Sequence, residues 1–203
     1  MTWSKRLFDI GLALFLAFFL WPFAVLAMVA ILLIDGAPIL YVSERMRSPD
    51  RAFRLWKFRT MRPRPSRSGV TGGDKSAEIT RTGSILRRTR FDELPQLWNI
   101  LRGDMSFVGP RPPLRRYVEL RPELYAQVLI MRPGLTGMAT AFFRRHEEAI
   151  LARCKTAEQT HMAYLTSCVP RKAKLDMIYR DKWRFCLDIW LVLVTVKQII
   201  TRT

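Results

Sequence analysis

Cysteine, histidine and acidic residues are all scarce in this chain. Its three cysteines, Cys154, Cys168 and Cys186, stand far apart with no C-x-x-C pair. That excludes a disulfide framework or a zinc ribbon and fits a reducing, cytosol-facing environment. His146 and His161 have no His or Cys at metal-ligand spacing, so they read as solvated or locally hydrogen-bonded. Gly73-Asp74-Lys75-Ser76 places an aspartate between the glycine and lysine that a phosphate-cradling P-loop needs side by side, which excludes that motif. No internal repeat is present.

Acid is outnumbered two to one: 17 Asp and Glu face 34 Lys and Arg, for a net charge of +17, although 49% of the 203 residues are hydrophobic. That length suits one domain with a substantial core. The imbalance is concentrated, because residues 45–90 hold 14 Lys and Arg against only Asp50, Asp74 and Glu78. A patch of this kind is either a solvated basic face or a surface for anions such as lipid head groups, a phosphorylated substrate or nucleic acid.

Charge is missing altogether from residues 10–34. As a straight helix these would extend about 37 Å, more than the roughly 30 Å hydrocarbon core. The run exceeds the apolar region of a signal peptide, so it is expected to be retained. Pro22 lies in its middle, and basic residues flank both ends: Lys5 and Arg6 before, Arg45, Arg47 and Arg51 after. A helix that enters, bends near Trp21-Pro22 and returns keeps both flanks in the cytosol; a kinked span does not. Composition alone leaves both open.

Further along, two β-rich runs, residues 39–42 and 53–58, flank a Ser-Pro-Asp turn signal and predict a β-hairpin. Residues 63–74, rich in Pro, Ser, Gly and Arg, predict a mobile loop. Short helices are expected around Ile85-Leu86 and over residues 95–101, the latter stopped by Gly103. Residues 117–131 form a basic amphipathic stretch suited to a membrane surface or to a core. Residues 186–200 are apolar but interrupted by Asp188 and Lys197, which predicts a buried or interfacial helix.

Asp92-Glu93-Leu94-Pro95-Gln96 carries the most chemistry. Two adjacent carboxylates precede a proline that favours a first helical turn, where the helix dipole stabilises an anion. Arg87, Arg88 and Arg90 precede them. An ionised Asp in such a field suits nucleophilic attack on phosphorus, with its neighbour holding Mg²⁺; a helix cap with a solvated Glu is the plainer alternative. Two Gly/Pro-dense loops, residues 103–113 with Arg111 and residues 132–137 with Arg132, could each present arginine to phosphate or be simple turns.

Together these residues resemble the bacterial sugar transferase family, the monotopic phosphoglycosyl transferases. The matching motifs are Lys5-Arg6-Leu7-Phe8-Asp9-Ile10, Lys57-Phe58-Arg59-Thr60-Met61, Gly83-Ser84-Ile85-Leu86-Arg87, the Asp92 to Gln96 run and the two Gly/Pro loops. Leu175-Asp176, Tyr179, Leu187-Asp188 and Thr195 resemble the C-terminal pattern.

The resemblance implies an α+β, mostly helical fold: a re-entrant membrane helix over residues 1–36, then a cytosol-facing catalytic domain over 37–203 with a small β-hairpin and interfacial amphipathic helices. It implies transfer of a sugar-1-phosphate from a UDP-sugar to polyprenol phosphate, releasing UMP, as a first membrane step of glycan assembly at the bacterial cytoplasmic membrane. Asp92 would be the nucleophile and Glu93 the Mg²⁺ ligand. Arg87, Arg111 and Arg144 would lie near phosphates, Lys57 and Arg59 would support the site or bind phosphate, and Asp188 would serve the nucleotide or the scaffold. The expected partners are the UDP-sugar, polyprenol phosphate and anionic lipid head groups; nucleic acid is not expected, and an oligomer is compatible.

The sequence departs from the family at Ser43 and Arg47, at Thr140-Ala141-Phe142-Phe143 before Arg144, where amides are usual, and at Trp21 before the membrane proline. It would be a short form, without the added N-terminal transmembrane region of longer relatives. The rival from another class is a non-enzymatic membrane-bound binder of nucleic acid or anionic lipid. That rival explains the basic segment but not Asp92-Glu93 beside two arginine loops.

Overall fold

The computed structural model describes residues 2–62 and 77–201. The loop expected at 63–74 and the rejected P-loop-like residues 73–76 lie outside the described residues. Helix α1, Trp3–Ala30, runs through Pro22 without ending and passes into a π-helical turn, Ile31–Asp35, which Gly36 closes at φ 77°. Among the described residues it is the one helix long and apolar enough to cross a membrane. Its side chains are bare: Phe15, Phe18, Phe19, Trp21, Leu26 and Leu33 are all exposed. An apolar helix that leaves such a surface uncovered suits a lipid surrounding, not water.

Small residues nevertheless seat both halves of α1 on the rest of the protein. Ala13 packs with Phe53, Leu55, Leu97 and Ile100. Ala27 and Ile31 pack with Phe58 and Leu86, with Phe91 and Leu94 at the edge.

The β-hairpin pairs β1, Leu40–Ser48, with β2, Arg51–Phe58, antiparallel from Leu40↔Phe58 to Ser48↔Arg51. Both strands run further than the β-rich residues alone suggested. The turn narrows to Pro49-Asp50, because ladder hydrogen bonds carry the polar residues 43–48 along.

Helices α2, Arg81–Thr89, and α3, Gln96–Arg102, follow, joined by a 3-10 turn at Phe91–Glu93. Gly103 ends α3 in the left-handed region (φ 84°), as expected of a helix-terminating glycine.

The two Gly/Pro loops turn out to be partners. They contribute β3, Ser106–Val108, and β4, Gly134–Thr136, a parallel pair. A Cβ on Gly134 would fall 2.1 Å from the Gly109 nitrogen, so the glycines let the two backbones touch.

The amphipathic stretch at 117–131 is two helices, α4, Arg115–Leu120, and α5, Pro122–Val128. Arg121, at φ −141° and ψ 58°, separates them, since a residue before proline is disfavoured in helical conformation. The apolar face of this stretch, Tyr117, Val118, Tyr125, Val128 and Leu129, is buried with Tyr164, Val169 and Ala173. Of the two readings of this stretch, membrane surface or core, this burial supports the core.

Helices α6, Met138–Ala152, α7, Ala157–Ala163, and α8, Val169–Asp181, complete the body, with a π-helical turn Tyr164–Cys168 between the last two. Helix α9, Phe185–Ile200, buries Asp188 and Leu191 and exposes Trp190, Leu193 and Ile200.

Charged residues at the start of α1 bolt it to the body. Lys5, 3% exposed, donates to the Val108 carbonyl, to Tyr179 and to Asp188, the last at 2.5 Å. Arg6 donates to the Ile100 and Leu101 carbonyls, satisfying the open end of α3. Asp9 accepts from Ser106 and the Phe107 amide. Lys5 and Arg6, read from the sequence as a basic flank on the cytosolic side, are thus engaged by the body of the protein.

Lys5→Met should destabilise the protein by about 3–5 kcal/mol, because it leaves the Asp188 charge buried and unpaired. Adding Asp188→Asn should restore part of that loss, and thermal unfolding of the two variants measures it. Strictly additive losses would show that the pair is not coupled.

Candidate active site

Strand alternation supplies the first group. Lys57 shares the face of Phe53 and Leu55, which are buried in the core, so its ammonium emerges beyond that core. Helix α2 rests on the end of β2 so closely that a Cβ on Gly83 would lie 2.2 Å from the Thr60 carbonyl oxygen. That seat lets Arg87 Nε donate to Thr60 Oγ1 at 2.8 Å. Asn99 docks α3 against the same strand, accepting from the Trp56 amide and donating to the Arg54 carbonyl. The turn carrying Asp92 and Glu93 is therefore fixed between two helices that both grip β2.

Glu93 is the focus of the cluster. Its Oε1 accepts from Lys57 and from Arg111, each at 3.0 Å, and its Oε2 accepts from Arg90 at 3.1 Å. Burial alone would raise its carboxyl pKa, but Lys57, Arg111 and Arg90 outweigh it and hold the group well below the usual carboxylate range.

Asp92 is buried too, and its Oδ1 has no hydrogen-bond partner. Burial, with the neighbouring Glu93 charge, pushes its pKa up against the pull of Lys57, Arg90 and Arg87. This reverses the expectation that a helix terminus would stabilise the Asp92 anion: the turn lies ahead of Pro95, the N-cap of α3, and neither carboxylate caps that helix. The plain capping alternative is likewise excluded. Lys57, Arg87, Arg90 and Arg111 all act on this pair, so the site has positive charge to spare for phosphate.

Arg90 was read from the sequence only as background charge. It ends α2 in the left-handed region at φ 63°, the only non-glycine with positive φ among the described residues. Glycine usually fills that position, and a larger residue there costs about 1–2 kcal/mol. A strained arginine contacting Glu93 marks a functional position. The missing glycine after a basic helix end was the available signal.

Other candidates fall elsewhere. Arg59 donates to the carbonyls of Asp35, Gly36 and Ala37, capping the end of the π turn. Asp188, fully buried, accepts from Lys5, Tyr179 and Trp183 in the α1 bolt, so its partners here are those of the scaffold. Arg132 approaches Gly103 and feels Arg47 and Arg6, so only the Arg111 loop reaches the carboxylates. Arg144 pairs with Glu148 at 2.8 Å on α6 and lies close enough to influence Arg90. Behind Arg111 a cavity of about 20 Å³ also meets Lys172 and Asp176. Burial raises the Asp176 pKa to about 7, against the pull of Lys172.

Mg²⁺ prefers one or two carboxylates completed by phosphate and water. Among the described residues no group of three or more His, Cys, Asp or Glu forms a closed metal site. A carboxylate offers about four lone-pair positions, and Glu93 uses three on its cations. One position remains, so Glu93 fits a single metal contact whose other ligands come from substrate.

Residues 1–202 match the sequence profile of the bacterial sugar transferase family. The chain belongs to that family. Similar proteins include an uncharacterized sugar transferase, EpsL, of Bacillus subtilis (strain 168), 32% identical over 196 residues, covering 97% of this chain and 87% of that protein. A UDP-glucose:undecaprenyl-phosphate glucose-1-phosphate transferase of Caulobacter vibrioides is 33% identical over 97% of this chain and 70% of its own. A UDP-N-acetylgalactosamine-undecaprenyl-phosphate N-acetylgalactosaminephosphotransferase of Aeromonas hydrophila is 30% identical over 89% of this chain, which spans only 40% of that relative.

In this transferase, Glu93→Gln would leave Lys57, Arg90 and Arg111 without their shared anion. Thermal unfolding in detergent should show a loss of roughly 3 kcal/mol. An unchanged Tm would mean the three contacts hold nothing together.

Proposed function

We propose that this transferase moves a sugar-1-phosphate from a UDP-sugar to polyprenol phosphate and releases UMP, a first membrane step in glycan assembly. The observation that carries the reading is the asymmetry of the carboxylate pair. Glu93 accepts from three cations, whereas Asp92 keeps an unpartnered oxygen in the same positive field. Lone pairs not engaged by donors, in a dry site that raises basicity, favour Asp92 as the nucleophile.

Its carboxylate oxygen forms a bond to the β-phosphorus as the bond from that phosphorus to the bridging oxygen breaks, and the electron pair leaves with UMP. An oxygen of polyprenol phosphate then attacks the same phosphorus. The bond to Asp92 breaks, restoring the carboxylate and yielding the sugar diphosphate lipid. Lys57, Arg87, Arg90 and Arg111 stabilise the phosphate charge in both steps, with Arg144 nearby. Mg²⁺, held by Glu93, would neutralise the diphosphate. The names of the Caulobacter and Aeromonas relatives support both donor and acceptor classes.

We read residues 1–36 as a re-entrant membrane segment and residues 37–203 as facing the cytosol at the bacterial cytoplasmic membrane. The packing of both halves of α1 on one body supports this. A helix that crossed the bilayer would carry its two ends to opposite sides, and a single water-facing body could not meet both.

Asp92→Asn should abolish UMP release from a UDP-sugar by at least about a thousandfold while the protein keeps its membrane association and an equal or higher Tm. Full turnover by that variant rules out the covalent route. For topology, single cysteines at Thr2 and Arg47 in a background without Cys186 should be labelled from the same side of sealed vesicles. Labelling from opposite sides rules out re-entry.

A further inference from the structure

A cavity of about 370 Å³ lies where the π turn after α1 meets the N-terminus of α2, away from the carboxylate pair. Arg59, Arg62 and Arg81 line it together with Asp35, Ile34 and Thr80. None of these six donates to or accepts from Asp92 or Glu93 in the described hydrogen bonds.

Three features make it a site for an anion. Arg59 is 6% exposed, and its Nε–H has no acceptor although its other guanidinium nitrogens are engaged. The Arg62 and Arg81 guanidinium groups reach solvent with no hydrogen bond or ion pair among the described residues. The first-turn amides of Arg81 and Thr82 also have no backbone acceptor, whereas the next amide is capped by Thr80 Oγ1 and the one after it by the Thr80 carbonyl. An open helix N-terminus beside uncommitted arginines attracts phosphate. Among the described residues Asp35, which accepts from Thr82 Oγ1, is the one acid in the lining, so there the three arginines outnumber it by two. A phosphate monoester carries about −1.5 to −2 near neutral pH, which matches.

The surroundings suggest what the phosphate is attached to. Ile34 lines the cavity, and Leu32, Leu33 and Ile34 are all exposed on the π turn that brings it there. An apolar chain leaving a phosphate in the cavity would lie along them.

We propose that this cavity docks the phosphate monoester head of a membrane lipid, gripped by Arg62, Arg81 and the α2 amides, with its tail along residues 32–34. The site rests on the membrane placement argued above but not on the transfer reaction, so it is read by binding, without nucleotide sugar.

The full chain in detergent is titrated with phosphatidate, phosphatidylcholine or inorganic phosphate, and bound lipid is counted by native mass spectrometry. Phosphatidate should bind at least about tenfold tighter than phosphatidylcholine, and inorganic phosphate should compete only weakly. The double variant Arg62→Gln/Arg81→Gln should lose the preference about tenfold. The charge-matched Arg153→Gln/Lys155→Gln, at exposed positions elsewhere, should keep it. Equal loss in both doubles would reduce the effect to net charge, and no loss in the first would remove the site. Inorganic phosphate binding as tightly as phosphatidate would make it a free-phosphate site and overturn the lipid assignment.

Discussion

The carboxylate of Glu93 determines how the centre of this protein is put together. It draws Lys57 from β2, Arg90 from the end of α2 and Arg111 from the loop after β3 onto two oxygens. These cations come from sequence positions 36, 3 and 18 residues away, and without a shared anion they would repel one another. Arg90 adopts a left-handed backbone to reach it. A structure that concentrates so much positive charge needs an internal anion to fold, and even with Asp92 beside it Glu93 faces more cations than the pair can balance.

The same logic of burying charge only in pairs governs the anchor. Lys5, Arg6 and Asp9 lie within the first turns of a helix whose remaining surface is apolar. Each is satisfied by the body: Lys5 by Asp188 and Tyr179, Arg6 by the end of α3, Asp9 by β3. The helix therefore cannot slide or rotate without unpairing buried charge, which costs several kcal/mol per ion. Arg59 closes the other end by capping residues 35–37. With the segment in the membrane as proposed, fixing both its ends would set the height of the Asp92 turn relative to the lipid surface, as an acceptor arriving from the bilayer requires.

Much of this was legible in the sequence where local rules decide. The apolar run, the hairpin around Pro49-Asp50, the helix stopped by Gly103 and the break that Pro122 imposes each follow from one residue type acting on its neighbours. Apolar spacing across 117–131 runs unbroken past Pro122, which is why periodicity alone predicts one stretch where the proline makes two helices. The carboxylate pair was legible as chemistry, but its electrostatics was not. A helix-terminus argument predicts a stabilised Asp92, whereas burial beside Glu93 decides the opposite. Non-local contacts explain the other differences. Nothing near Asp188 in sequence announces Lys5, 183 residues away, and nothing in either Gly/Pro loop announces that the two pair as β3 and β4. The Thr140-Phe143 departure also has a local consequence. Phe142 stacks on Trp190 at 5.8 Å, and the Ala141 carbonyl accepts from Gln198, so this segment joins α6 to α9.

Two carboxylates one residue apart, under nearly the same field, behave oppositely, and the difference lies in hydrogen bonding. Burial penalises both. Glu93 recovers that penalty through direct donors, so its charge is fixed and its geometry rigid. Asp92 feels the same cations only through space and keeps an oxygen without a donor, so its ionised form stays costly in the free protein. A phosphorus centre arriving at that oxygen would relieve the cost by forming a bond, while the extra positive charge of the cluster would meet the phosphate oxygens. Satisfying Asp92 with a donor of its own would stabilise the fold and, on the proposed route, dull the nucleophile. On the proposed covalent route the unpaired oxygen is the point where stability is given up for reactivity, and the three donors on Glu93 are what make that loss tolerable.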